Sequence, residues 1–203
     1  MSPRPYRMAR RRESTDETRA RILSAARDAI SDPEGAKKFS MEEVASRAGV
    51  ARMTVYYRFG SLQGLLEALF DSLAFAGGIE GLAQVFELAD AREALDRFVA
   101  VFTGYWESDR TVLRRLGALA TLDRDLQAVL EQRYGRRRQA IAVLLRRLRK
   151  QYRRPGPKEL KDAADLLFLL TSFVTYDTLA GDHRTPAQVT RLIQRTARLL
   201  LLG

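Results

Sequence analysis

The sequence lacks the residues from which most small catalytic and metal sites are built. Among its 203 residues there is no cysteine and only one histidine, His183. Disulfides, thiolate zinc sites and cysteine nucleophiles are therefore excluded. An HExxH pair, a glycine-rich phosphate loop and a serine–histidine–aspartate pattern are missing as well. We therefore predict that the chain is not an enzyme, and that it uses neither a metal nor a cofactor.

An enzyme built on a helical bundle stays open as an alternative. His183 lies beside Asp182 and close to Asp177, and these residue types serve in metal sites and in acid–base pairs. The simpler interpretation is a polar loop between two helices.

Long apolar runs and alternating strand patterns are also missing. The longest apolar stretch, residues 166–174, is interrupted by Thr171 and Ser172 and falls far short of the roughly 20 residues that cross a bilayer. The basic N-terminus is not followed by an apolar segment of the kind found in signal peptides. We therefore expect an all-α chain in the cytoplasm, with no membrane partner.

Residues 40–59 predict a helix, a tight turn and a second helix. Ser40 and Glu43 have the spacing of a capping box, in which each side chain bonds the other residue's backbone N–H. Gly49 lies where the first helix must end, since glycine enters the left-handed conformation at little cost. Val50 supplies an apolar contact in the turn. Val55 and Phe59, four residues apart, are predicted to face inward.

The rest of the second helix has the side chains of a DNA-reading surface. Cations and hydroxyls contact phosphates, and long side chains reach base edges in the major groove. We predict base contacts from Arg52, Met53 and Tyr57, with Arg52 the first candidate for guanine. Phosphate contacts are predicted for Ser40, Thr54, Tyr56 and Arg58. Packing against the first helix is an equal alternative for Tyr56, and an ordinary helical hairpin is the alternative for the whole motif.

The flanking segments complete a compact helical unit that resembles the TetR family of transcriptional repressors. Glu17–Ser31 and the segment after Ser61 both have apolar residues at helical spacing. The resemblance is carried by TRARILSAARDAI, FSMEEVASRAGVARMTVYYRF and GSLQGLLEAL, about the first third of the chain. It implies an N-terminal domain that binds operator DNA. It also implies a C-terminal domain that dimerises through its last two helices and binds a small ligand that releases the DNA.

Three positions depart from the family pattern. Ala51 stands where a serine usually caps the recognition helix, a loss of about 1 kcal/mol. Leu62 stands where the family usually has a lysine near the DNA backbone, so one cation is missing. The segment from Asp32 to Lys38 is longer and more polar than the usual turn.

The charge balance agrees with a nucleic-acid partner. The net charge is +10, and the first twelve residues contain five arginines and no acid. Pro3 and Pro5 are predicted to keep this arm out of a helix, so that it would follow the phosphates or enter the minor groove. Its candidate DNA contacts are Arg10, Arg11 and Arg12. A disordered, solubilising tail is the alternative.

A second basic run lies in the C-terminal part of the chain. Residues 133–154 contain ten basic residues and no acid, together with an apolar stripe. We interpret the basic face as solvated, as is usual for a long amphipathic helix. In the alternative, Arg137 and Arg138 face an anionic ligand or a partner.

The remainder of the chain is predicted to be helical. Gly77, Gly78 and Gly81 suggest a flexible joint after the fourth helix. The two last helices, within 158–179 and 186–202, are apolar over wide faces. A second copy in a symmetric homodimer is the simplest partner for the apolar surface that one protomer does not bury.

Aromatic side chains with polar tips are typical of small-molecule pockets and also of plain cores. Our candidate ligand-binding residues are Phe102, Tyr105, Trp106, Leu116, Tyr134 and Tyr176.

The sequence therefore predicts a basic arm at 1–14, a three-helix helix-turn-helix domain at 15–60 with a connecting helix at 61–76, and a larger helical-bundle domain for ligand binding and dimerisation at 77–203. The predicted function is that of a transcriptional regulator that binds a palindromic double-stranded DNA operator as a homodimer and is released by an unknown small-molecule effector. A nonspecific, architectural DNA-binding protein is the main alternative.

Overall fold

The computed structural model describes the backbone of residues 4–34, 39–156 and 158–203, and the side chains of these ranges from residue 15 onward. The described part of the chain is helical throughout and has no strand. Its helices are α1 (Arg4–Ser31), α2 (Met41–Ala48), α3 (Arg52–Phe59), α4 (Leu62–Ala76), α5 (Gly81–Glu87), α6 (Ala91–Ser108), α7 (Arg110–Ala120), α8 (Arg124–Tyr152), α9 (Leu160–Leu170), α10 (Phe173–Ala180) and α11 (Pro186–Leu202). The predicted all-α class is confirmed.

The chain forms two compact units. The N-terminal unit comprises the described residues up to Ser72 together with Arg114–Leu126. Its core is apolar, and the side chains of Ile22, Ile30, Val44 and Val55 are fully buried in it. Within this unit the Arg115 guanidinium donates to the carbonyl oxygen of Ile30 at 2.9 Å, which fixes Arg114–Leu126 against the end of α1.

The C-terminal unit comprises Leu73–Leu113 and Gln127–Gly203. Helix α6 lies at its centre and packs against α5, α10 and α11. Its apolar stripe buries Leu95, Phe98, Val99 and Phe102. Gly77 allows a close approach, because a Cβ at this position would lie 2.7 Å from the Cα of Tyr105.

Three predictions about local structure are wrong. The arm does not stay out of a helix: α1 already begins at Arg4, because a proline in the first turn lacks only an N–H that would have no helical partner. Gly81 is not part of a flexible joint but begins α5. The segment 158–179 is not one helix. The side chains of Arg10, Arg11 and Arg12 lie outside the described residues.

The break between α9 and α10 has a local chemical cause. The Thr171 hydroxyl donates back to the carbonyl of Leu167 at 2.7 Å, and the Ser172 hydroxyl accepts from the backbone N–H of Thr175 at 3.1 Å. Ser172 thus acts as the N-cap of a new helix. The carbonyl of Thr171 is released from helical pairing and becomes available to side chains.

Candidate nucleic-acid interface

The turn between α2 and α3 follows from two residues. The Ser40 hydroxyl accepts from the backbone N–H of Glu43 at 3.2 Å and begins α2. Gly49 ends the helix at φ 62° and ψ 39°, in the left-handed region, and its N–H and that of Val50 bond back into α2. A residue with a Cβ would be strained at Gly49. The predicted N-cap role of Ser40 and the predicted end of the helix at Gly49 are confirmed.

The inward face of α3 anchors the helix through one residue. Val55 is fully buried, as predicted, whereas Phe59 is only half-buried, and the Arg19 guanidinium lies 5.5 Å from its ring centroid. At the start of α3, Ala51 provides no side-chain cap, as its residue type predicted. The helix is therefore held by packing and by the turn rather than by its own N-cap.

The outward face of α3 presents large side chains to solvent. Met53 is 55 % exposed and Tyr57, one turn further along, is 84 % exposed. Arg52 and Arg58 are also exposed, and Thr54 and Tyr56 are half-buried. Arg52, Met53, Tyr56 and Tyr57 are spaced by one, three and four residues and so share one helical face. Solvent-exposed large side chains beside a cation indicate a recognition surface.

Arg52 is held in place by two neighbours. Its Nε lies 2.6 Å from Oε1 of Glu42, on α2, and its Nη2 donates to the Tyr56 hydroxyl at 3.2 Å. The guanidinium also lies 5.2 Å from the centroid of the Tyr56 ring. The hydrogen bond with Tyr56 and the charge of Glu42 raise the pKa of Arg52. Glu42 is not among the residues predicted from the sequence, although an acid in the first turn of α2 was a visible signal.

Arg47 ties the motif to the end of α1. Its Nη2 lies 2.7 Å from Oδ2 of Asp32, and its Nε lies 2.6 Å from Oε1 of Glu43. These two hydrogen bonds, with Asp32 the stronger, raise the pKa of Arg47. The reciprocal half of the predicted capping box is therefore wrong, because the Glu43 carboxylate pairs with Arg47 instead. Arg47 and Arg52, which flank the turn, are thus each paired with an acidic side chain.

Helix α4 begins directly after α3, and Ser61 caps its N-terminus. The Ser61 hydroxyl accepts from the backbone N–H of Gly64 at 3.1 Å, which confirms its predicted capping role. Leu62 is half-buried at the position where a lysine was expected. The predicted DNA contacts of Ser40, Arg52, Met53, Thr54, Tyr56, Tyr57 and Arg58 stay predictions, and all of them lie on α3 or at the start of α2.

The predicted ligand residues are only partly brought together. Trp106 lies between Phe102 and Tyr105, with ring centroids 6.2 Å and 4.4 Å away, and Tyr134 packs edge-on against Phe168 at 5.8 Å. Both groups lie in the C-terminal unit. Tyr176 is fully buried there, and its hydroxyl donates to the Glu107 carboxylate at 2.6 Å. Burial is the main cause that raises the pKa of Tyr176. Leu116 is buried in the N-terminal unit.

Arg137 joins these two aromatic groups. It is 5 % exposed, and its Cζ lies 3.9 Å from the centroid of the Phe168 ring and between 5.5 and 5.9 Å from those of Tyr134, Phe102 and Trp106. Its neighbour Arg138 is exposed and pairs with Asp165 at 2.8 Å.

The solvated-face interpretation is therefore wrong for Arg137. The sequence contained the signal, because Arg137 lies three residues after Tyr134 and four before Ile141. These positions fall on the apolar stripe of α8 rather than on its basic face.

No single helix in the described residues combines the length and apolar character needed to cross a membrane. Two bent helix pairs, α4 with α5 and α9 with α10, meet that requirement only when each pair is taken together.

A family model matches the N-terminal part of the chain. Residues 22–69 match the model of the bacterial regulatory proteins of the TetR family. The matched segment contains the C-terminal third of α1, the whole of α2 and α3, and the first half of α4. The helix-turn-helix described above therefore lies within the segment that is similar to the TetR family. No curated protein sequence matches the chain.

Solved structures share the fold over nearly the whole chain. A proposed transcriptional regulator from Saccharomonospora viridis, in complex with choline, superposes with a TM-score of 0.71 at 22% identity, over 93% of this chain and 99% of that one. A TetR-like regulator from Rhodococcus sp. RHA1 superposes with a TM-score of 0.66 at 23% identity, over 90% of this chain and 95% of that one. The fatty acid degradation regulator FadR from Bacillus halodurans gives 0.67 at 17% identity, over 90% and 94%. At these identities the likeness shows a TetR-like fold.

Proposed function

We propose that this chain, which carries a TetR-family DNA-binding motif on a TetR-like fold, is a regulator that represses transcription by binding a palindromic operator as a homodimer. The observation that supports this function is the exposed face of α3. Met53 and Tyr57 extend into solvent beside Arg52, and a short helix of this kind fits the major groove. Arg58 on the same helix supplies a cation for phosphate.

The last three helices supply the surface for a homodimer. The exposed large apolar side chains of α9, α10 and α11 are Leu166, Leu169, Val174, Leu199 and Leu200. Helices α9 and α11 pack on each other within the protomer, so these side chains remain for a second copy. A symmetric dimer covers them and holds two recognition helices at a fixed spacing of about 34–36 Å, one turn of DNA.

A small molecule is the proposed signal that releases the operator. Among the structural neighbours, the Saccharomonospora viridis regulator is a complex with choline, and FadR from Bacillus halodurans is a fatty acid degradation regulator. For this chain we place effector binding among the aromatic side chains of the C-terminal unit. A regulator of this kind acts in the cytoplasm and has no catalytic step.

Selection of bound duplexes from a random pool tests the proposal. We expect the purified protein to enrich an inverted repeat whose half-site centres are one helical turn apart. A salt titration should then compare a selected duplex with a scrambled duplex of equal length and composition. A specific regulator binds the selected duplex about 10³-fold or more tightly at moderate salt.

The same experiment separates the regulator from an architectural protein. An architectural protein would enrich no sequence, and its affinities for the two duplexes would be equal and would fall together with salt. That result would overturn the proposed function.

A further inference from the structure

Arg137 is the one charged side chain in the core of the described residues. Its buried position is unfavourable, because a charge removed from water needs a counter-ion or a full set of hydrogen bonds. The charged or ionisable side chains that influence its pKa are Tyr134, Arg138 and Tyr105, none of which is a carboxylate. A cation without a carboxylate partner in an aromatic interior is a mark of a functional site.

The hydrogen bonds of Arg137 are incomplete along one edge. Its Nη1 donates to the carbonyl of Thr171 at 2.8 Å. Its Nε is buried and has no hydrogen-bond partner. The N–H groups of Nε and Nη2 lie side by side in a guanidinium, and this edge matches the two oxygens of a carboxylate. The Nη1 group of Arg137 is therefore fixed to the protein, and its buried Nε N–H is left for an acceptor.

The Thr171 carbonyl that fixes Arg137 is not dependent on it. Trp106 Nε1 donates to the same oxygen at 2.9 Å, so the carbonyl would keep a partner if Arg137 were replaced. The burial of a cation at this position is therefore not explained by the need to satisfy Thr171.

We propose that the Nε edge of Arg137 binds the carboxylate of a small-molecule effector whose apolar body lies among Phe102, Trp106, Tyr134 and Phe168. This inference rests on the proposed ligand-released regulator and names the chemical class of its ligand. The ring faces that would hold a cationic ligand are already occupied by the guanidinium. An anion completes the charge of the site, whereas a cation would be repelled. Tyr134, which is 41 % exposed, joins the site to solvent.

Trp106 allows a direct test, because it is the only tryptophan in the chain and belongs to the site. Its fluorescence should be titrated with hexanoate, octanoate, phenylacetate and phenylpropionate, and with the matching primary amides and hexylammonium. We expect at least one carboxylate to saturate and to bind about tenfold or more tightly than its amide, since a charge-assisted hydrogen bond is lost in the amide. Hexylammonium should cause no saturable change in the Trp106 fluorescence.

Substitutions at two adjacent arginines give the matched comparison. Arg137→Met should remove the preference for carboxylate over amide, and Arg137→Lys should keep part of it. Arg138→Met removes a cation that lies 4.0 Å from the centroid of the same Phe168 ring but is exposed and paired with Asp165, and it should leave the preference unchanged. Circular dichroism and thermal melting establish that each variant is folded.

The inference is overturned by any of three results: no carboxylate saturates, the amide binds as tightly as its carboxylate, or Arg137→Met keeps the preference. Operator binding is measured in parallel without ligand. If a palindrome is selected but no carboxylate preference is found, the proposed regulator function is supported and the proposed ligand class is wrong. If a carboxylate binds at Arg137 but no DNA sequence is selected, the site stands and the proposed function is wrong.

Discussion

The two units of this protein each hold an arginine against aromatic rings, but they treat its charge in opposite ways. Arg52, on the surface of α3, is paired with Glu42 and Tyr56. Arg137, inside the C-terminal unit, has four rings and one carbonyl around it and no acid among the ionisable groups that act on it. Water would stabilise an unpaired charge at the surface and not in the interior, so the opposite arrangement would be expected from stability alone.

The difference agrees with the function that we propose for each arginine, DNA binding for Arg52 and ligand binding for Arg137. A paired surface arginine is oriented at little energetic cost and can exchange its partner for a base edge or a phosphate. A buried arginine without an acid destabilises the folded protein until an anion arrives, which is typical of a binding site. Changes in the N-terminal unit should therefore alter how DNA is read, and changes in the C-terminal unit should alter assembly, stability or ligand binding.

The largest expected effect comes from the exposed apolar surface of the C-terminal unit. Leu169→Glu and Leu199→Glu place a charge on side chains that are 58 % and 61 % exposed, so each variant should fold but become monomeric. Operator affinity should fall about 10²-fold or more, because the second half-site is no longer bound in the same complex. Sedimentation and a binding titration measure both quantities.

Leu122→Glu is the control for that change, since Leu122 is 88 % exposed but belongs to the N-terminal unit. It should remain dimeric. A Leu169→Glu variant that is monomeric and still binds a palindrome tightly would refute the dimer mechanism.

The next effect is a gain of stability on replacing Arg137. Burial lowers the pKa of Arg137 from its usual, higher value to about 10, which corresponds to about 3 kcal/mol against the charged folded state. Arg137→Met removes that cost and loses one hydrogen bond of about 1 kcal/mol, so we expect a net gain of about 1–3 kcal/mol in denaturant unfolding. Arg138→Met should change stability by less than about 1 kcal/mol.

The lowered pKa of Arg137 determines how the stability gain of Arg137→Met depends on pH. Below pH 10 Arg137 is charged in both the folded and the unfolded state, so the gain should be constant between about pH 6 and pH 9. Above about pH 10 the folded wild type releases its proton first and becomes relatively more stable, so the gain should shrink. A variant less stable than wild type at pH 7 would show that Arg137 is a structural residue.

A moderate effect is expected at the DNA-reading surface. Arg52→Ala should weaken binding to a selected operator by about 1–3 kcal/mol. Arg58→Ala should weaken binding to the selected and the scrambled duplex by the same factor. It should also reduce the slope of log affinity against log salt by about one for each phosphate that is no longer neutralised. If both variants had the same effect on both duplexes, the division of α3 into base-reading and phosphate-binding residues would be wrong.

The smallest effect is expected from the acid that pairs with Arg52. Glu42→Gln should change folding stability by less than about 1 kcal/mol, because both side chains are exposed. Affinity for scrambled DNA should rise, since a negative charge near the phosphates is removed. The ratio of selected to scrambled affinity should therefore fall. An unchanged ratio would mean that Glu42 does not help to orient Arg52.

Local rules predicted the helix-turn-helix well, because its determinants are close in sequence. Ser40, Gly49 and Val55 act through neighbours within one or two helical turns, so spacing alone identifies them. The Arg52–Glu42 pair joins residues on two helices, and its geometry depends on how the turn sets one helix against the other. Residue types therefore predicted which side chains α3 exposes, whereas they did not predict that Arg52 is paired with Glu42.

The C-terminal unit was less predictable, because its site is assembled from distant segments. Phe102, Arg137 and Phe168 come from three helices, and no local pattern joins them. The break at Thr171–Ser172 was not predicted, because apolar residues resume directly after these two. The Thr171 hydroxyl bonds back to Leu167, and the Ser172 hydroxyl caps the next helix. The basic composition of α8 also hid the one arginine on its apolar stripe.

Parallel selections with wild type and Arg52→Ala test the central claim most directly, namely that α3 reads operator DNA in each half of a dimer. We expect wild type to enrich an inverted repeat. We expect Arg52→Ala to enrich the same repeat with the base preference lost at one position in each half-site. An identical preference at every position, or no enriched sequence with wild type, would contradict that claim.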